Sequence, residues 1–92
     1  DKVFQANLKN SLEMKVEVRL FASFTKYLPD DAEGQKVILD LAEGTTVKQV
    51  LVQLRVPLEE IKLVFINSVH AEIEDVLKDG DRMGAFPPVG GG

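Results

Sequence analysis

Ninety-two residues, 45% hydrophobic and 28% charged, leave room for one small core and exclude a multidomain enzyme. The chain has no cysteine, which excludes a disulfide framework, a thiolate nucleophile and any Cys-ligated zinc or iron–sulfur centre; one histidine and the carboxylates make a poor metal set, so no metal site is expected. A net charge of -4 argues against a nucleic-acid partner, which needs a basic face, and favours a basic protein surface as the partner. No apolar run has the length of a membrane span, and the first residues lack the apolar core of a signal peptide, so no membrane partner and a cytoplasmic location are expected.

Asp1 to Glu13 are polar, with the first methionine only at Met14, and read as a tag-derived or upstream extension. Val3, Phe4, Leu8 and Leu12 have near-helical spacing, which leaves a short docking helix as the alternative. From Lys15 to Ala22 polar and apolar residues alternate, predicting a strand with Val16, Val18 and Leu20 on its buried face. Ser23 to Leu28 suit one helical turn before Pro29, and Asp30, Asp31, Glu33 and Gly34 suit a polar loop.

Val37 to Leu41 form the second predicted strand, in a hairpin with the first, ending at Glu43-Gly44. Thr46 is a helix N-cap, and Gln49 three residues later completes a capping box. Val47, Val50, Leu51 and Leu54 then place one apolar stripe on a helix that stops before Pro57 and must cover a sheet. Leu58 to Ile61 suit a short turn. Leu63 to Ile66 form an uninterrupted apolar run that reads as a central strand. Asn67-Ser68 make a turn, Val69 to Ala71 a short return strand, and Lys78-Asp79-Gly80-Asp81 a tight turn into a last strand, Arg82 to Phe86. This order, ββαββ with an extra short strand, predicts an α+β roll of the β-grasp, or ubiquitin-like, kind, with one main helix across a mixed sheet. The expected division is an extension over 1–13, the β-grasp domain over 14–86 and an extended tail over 87–92.

Catalytic constellations are missing. His70 reads as a half-exposed strand residue rather than a base, and Glu72, Glu74 and Asp75 as a solvated acidic loop rather than an acid–base pair, which would need an enclosing pocket. The unusual feature is the end, Phe86-Pro87-Pro88-Val89-Gly90-Gly91-Gly92. Two prolines fix φ and supply no ladder donors, so the chain leaves the sheet as an extended stalk. Glycines lack a Cβ and can thread a narrow channel, which reads as a functional tail rather than a frayed end. Phe86, at the junction of strand and stalk, suits an interface anchor; the alternative is that it closes the core, and alternation along Arg82 to Phe86 does not decide, because Gly84 permits a bulge that would re-aim the side chains.

Lys78-Asp79-Gly80-Asp81 followed by the last strand and this tail resembles the C-terminal signature of the MoaD/ThiS ubiquitin-like sulfur carriers, and most nearly the branch of the molybdopterin synthase small subunits. Val18 to Ala22, Glu43 to Val47 and Ile66-Asn67 share the resemblance, which spans Met14 to Gly92. The diproline favours the molybdopterin branch, whereas the short helix is more typical of the thiamine branch.

The resemblance implies a carrier, not an enzyme by itself. Its terminal carboxylate, here that of Gly92, would be adenylated by a ubiquitin-activating-type enzyme that uses ATP and then converted to a thiocarboxylate. Gly91 would complete the diglycine, with Pro87, Pro88, Val89 and Gly90 as the rest of the tail and Phe86 docking on the partner. The implied partners are that enzyme and the large subunit of molybdopterin synthase or thiazole synthase, with no cofactor bound to the carrier. The alternatives are a thiamine-pathway carrier, a ubiquitin-like protein modifier, and a regulatory binding module whose tail is incidental.

Overall fold

The structure, a computed structural model, describes residues 13–88. Five strands, β1 (Glu13–Leu20), β2 (Lys36–Ala42), β3 (Leu63–Ile66), β4 (Val69–Ala71) and β5 (Arg82–Phe86), form one sheet in the order β2-β1-β5-β3-β4. One helix, α1 (Val47–Gln53), packs across it, and 3-10 turns occupy Ala22–Tyr27 and Leu58–Glu60. All neighbours are antiparallel except β1 and β5, which run parallel. This is the ubiquitin-like β-grasp roll that the element order predicts.

The alternation in β1 holds, with Met14, Val16, Val18 and Leu20 all buried. The strand begins at Glu13, two residues before the expected start, because Glu13 already pairs with Ala42. It ends at Leu20 rather than Ala22, since Ala22 has a φ of 54°, left-handed backbone that no ladder accepts. Phe24, on the 3-10 turn that follows, is fully buried and closes that end of the core.

Helix α1 owes its position to its caps. The Thr46 hydroxyl accepts from the Gln49 amide and the Gln49 side chain accepts from the Thr46 amide, at 3.2 and 2.9 Å, which is the predicted capping box. Two more first-turn amides donate to a neighbouring loop, Val47 to the Asp75 carbonyl and Lys48 to the Ile73 carbonyl, at 3.0 and 2.7 Å. At the other end Val56 N–H donates to the Leu51 carbonyl and Arg55 N–H to the Val52 carbonyl, a Schellman closure with Arg55 at φ 68°. Val47, Val50 and Leu51 are buried, as the stripe predicted, and Leu54 is half-buried.

Two expectations change. The Leu63–Ile66 run is paired on both sides, but the centre of the sheet is β5, and only Val64 of the run is buried. Its face is open because the single helix covers only the other side. Gly84 makes no bulge: β5 keeps an unbroken register with β1, Glu17↔Arg82 to Leu20↔Ala85, and with β3, Leu63↔Phe86 to Ile66↔Met83.

Candidate docking face

Unbroken register fixes the orientation of every β5 side chain. Met83 and Ala85 face the helix beside Val18 and Leu20, so Arg82, Gly84 and Phe86 face the open side. Phe86 is half-buried there, outside the helix-covered core. Its ring stacks on Phe21, centroids 4.2 Å apart and 6° from parallel, and meets Phe65 edge-on at 5.6 Å. Phe21 arrives by the same alternation, on the β1 face that carries Glu17 and Arg19, and the left-handed Ala22 turns the chain away immediately after it. Phe65 arrives on β3, directly opposite Gly84.

Gly84 is needed for space. A Cβ built there would lie 3.1 Å from Phe21 Cε2, so the missing side chain lets the ring rest over β5. The three rings, with Arg19, Ser68, Arg82, Met83 and Gly84, line an open groove of about 310 Å³. Its far edge is held by the Asn67-Ser68 turn, both residues at positive φ, in which the Asn67 side-chain oxygen accepts from the Arg82 amide at 3.0 Å and its amide group donates to Asp81 at 2.9 Å.

The groove leads into the tail. The Lys62 amide donates to the Phe86 carbonyl at 2.8 Å, the last ladder bond, and Pro87 has no N–H with which to continue it. Pro87 is half-buried and Pro88 exposed. Val89, Gly90, Gly91 and Gly92, the rest of the expected site, lie outside the described residues, as does most of the 1–13 extension.

Of the other candidates, His70 borders this face and the acidic loop takes a structural part. His70 is exposed on the edge strand, its ring edge-on to Phe65 at 6.5 Å. The Glu72–Asp75 loop is the strap that receives the first amides of α1, and the Asp75 side chain closes it by accepting from the Glu72 amide at 3.0 Å. Among the described residues no three His, Asp or Glu side chains group as a metal site, and no helix is long and apolar enough to cross a membrane. Phe21, Phe65 and the two arginines were not singled out from the sequence. Their signal was parity: Phe21 ends the polar side of the β1 alternation, and Phe65 stands out of phase with Val64.

Residues 13–90 match the Mut7-C ubiquitin family, so the match covers the whole fold and enters the tail. The chain belongs to this family. The expected ubiquitin-like kinship is thereby shown, within the wider group that includes the MoaD/ThiS carriers. Among solved structures it is similar to the HVO 2177 protein of Haloferax volcanii, 26% identical, TM-score 0.67, over 88% of this chain and 89% of that one. It is also similar to SAMP1, the small archaeal modifier protein of the same organism, 27% identical, TM-score 0.65, over 85% and 99%. A third is a proposed molybdopterin converting factor subunit 1 of Pyrococcus furiosus, 25% identical, TM-score 0.62, over 83% and 99%. No curated protein matches. The solved neighbours thus include a small archaeal modifier and a proposed converting-factor subunit of the same ubiquitin-like fold.

Proposed function

We propose that this protein is a sulfur carrier whose Gly92 carboxylate is activated by an ATP-dependent adenylating enzyme and converted to a thiocarboxylate, and that it supplies sulfur in molybdopterin cofactor synthesis. The observation that supports this most is the route of β5, which carries the chain from the aromatic groove directly into Pro87-Pro88 and on to the glycines. A partner seated on the groove is thereby next to the start of the tail. The likeness to a proposed molybdopterin converting factor subunit supports the branch and implies a second subunit as sulfur acceptor.

The chemistry uses no side chain of the carrier. The terminal carboxylate oxygen attacks the α-phosphorus of ATP and expels pyrophosphate, giving an acyl-adenylate. Hydrosulfide delivered by a partner then adds to the carbonyl carbon, AMP leaves and a proton is released, so one oxygen of the terminus is replaced by sulfur. The thiocarboxylate is a soft nucleophile that a chain without cysteine could not otherwise present. The proline stalk restricts the tail to extended conformations and lowers the entropy lost on threading it into an active site.

Likeness to a small archaeal modifier favours a second reading, in which the same acyl-adenylate is passed to lysine amines. Intact mass spectrometry of the protein isolated from its own cells separates the two. The carrier reading expects the mass gain of one oxygen-to-sulfur exchange at Gly92, abolished when Gly92 is deleted. Isopeptide conjugates with no terminal sulfur would replace it with the modifier reading.

A further inference from the structure

The chain is acidic, but its charges are unevenly placed. Glu43, Glu59, Glu60, Glu72, Glu74 and Asp75 lie in the loops that flank the helix. Around the groove the charges are mixed, but the two charged residues that line it are both cationic. Arg19 and Arg82 line it, Lys36 is the β2 residue opposite Arg19, and His70 is opposite Phe65.

Two nearby carboxylates, those of Glu17 and Asp81, are already engaged, whereas Glu33, bridged opposite Lys36, makes no ion pair with it. Glu17, with a side chain only 16% exposed, is ion-paired to Arg19. Asp81 accepts from the Asn67 side chain and from the Lys78 amide, one bond to each oxygen. Asp40, farther along the sheet, is paired to Lys15 at 2.7 Å. Among the described residues, Arg82 and Lys36 have no carboxylate partner.

We propose that the groove receives an apolar side chain of a protein partner whose surrounding surface is acidic, so that carboxylates on that surface meet Arg82 and Lys36. The identity of this partner as the one that also takes the tail rests on the carrier reading; the charge and shape of the site do not. Three rings around an open groove offer apolar contact to one knob, and cations at its rim select the sign of what surrounds that knob. This reverses the expectation from net charge, which favoured a basic partner surface. Net charge sums over the molecule, whereas a partner meets one face.

The test needs no activating enzyme. The full chain, labelled with nitrogen-15, is titrated with two peptides, a leucine flanked on each side by two glutamates and the same leucine flanked by lysines. The acidic peptide is expected to shift the amides of Arg19, Phe65, Gly84 and Phe86 and to bind about fivefold tighter than the basic one. The exposed double variant Lys36→Glu/Arg82→Glu, its fold checked in the same spectra, is expected to invert that preference. Equal binding of both peptides, a preference for lysine, or no movement of these amides at millimolar peptide overturns the proposal. Stronger shifts of the same amides by a single-stranded DNA oligomer would overturn it in favour of a nucleic-acid site. Because the Gly92 mass measurement is separate, either reading can fail while the other stands.

Discussion

The two faces of one sheet are built from the same strands and do different work. Toward the helix, β1 and β5 present Met14, Val16, Val18, Leu20, Met83 and Ala85, all buried, and Phe24 closes the end. Toward solvent the same strands present Glu17, Arg19, Arg82, Gly84 and Phe86, with Phe21 just beyond β1. Mostly aliphatic side chains, with two methionines as adaptable filler, close the space on one side. On the other, rings stack on each other and on a glycine because no element among the described residues covers them. The helix face holds the fold and the open face is available for recognition, so equal chemistry should have unequal effects on the two sides.

Two phenylalanines give the largest contrast. Phe24→Ala, on the helix side, should cost about 3–5 kcal/mol, measured by denaturant unfolding, because it removes a fully buried ring. Phe86→Ala removes a half-buried ring whose stacking is of the order of 0.5–1.5 kcal/mol per aromatic pair, so its stability loss should be clearly smaller. The same variant should lose about 2 kcal/mol or more of affinity for the activating enzyme that the carrier reading calls for, read by calorimetry. If both variants unfold alike, or if Phe86→Ala binds normally, the division between faces is wrong.

A smaller change sharpens the same comparison. Gly84→Ala puts a methyl 3.1 Å from the Phe21 ring, which must shift, and overpacking of this kind costs about 1 kcal/mol. The loss should shrink in a Phe21→Ala background, since the clash is then gone; an unchanged loss would locate the strain in the β5 backbone instead.

The smallest effect belongs to the exposed Lys15–Asp40 pair on the open face. The Asp40 hydrogen bond, and then its charge, raise the Lys15 pKa above the ordinary lysine value. A raised lysine pKa stabilises the fold below the unfolded value, and that contribution is lost as pH rises through the folded one. The stability gap between Lys15→Met and the parent should therefore narrow at strongly alkaline pH, read by denaturant unfolding across that range. A gap that stays constant into that range would mean that Lys15 gains nothing from the pair.

How much of this was legible depends on sequence distance. Period-two alternation in β1, the Thr46–Gln49 capping box and the apolar stripe of α1 are local patterns, and local sterics and hydrogen bonds suffice to produce them. The diproline and glycine tail is likewise local, because proline removes a donor wherever it stands. The amino-acid sequence alone therefore determined the element order, the roll with one helix and the inward face of β1. It did not determine that β5 lies parallel to β1 at the centre of the sheet, because pairing partners far apart in the chain are chosen by whole-sheet burial rather than by either segment. Only the pairings of β5 with β1 and with β3 bring Phe21 onto Phe86, set Phe65 opposite Gly84 and place Arg19 and Arg82 beside the rings. The strap at Glu72–Asp75 is a similar case: its acidic side chains were visible, but its purpose lies in backbone carbonyls that meet the first turn of α1, and carbonyls are present in every residue until the tertiary fold aims them.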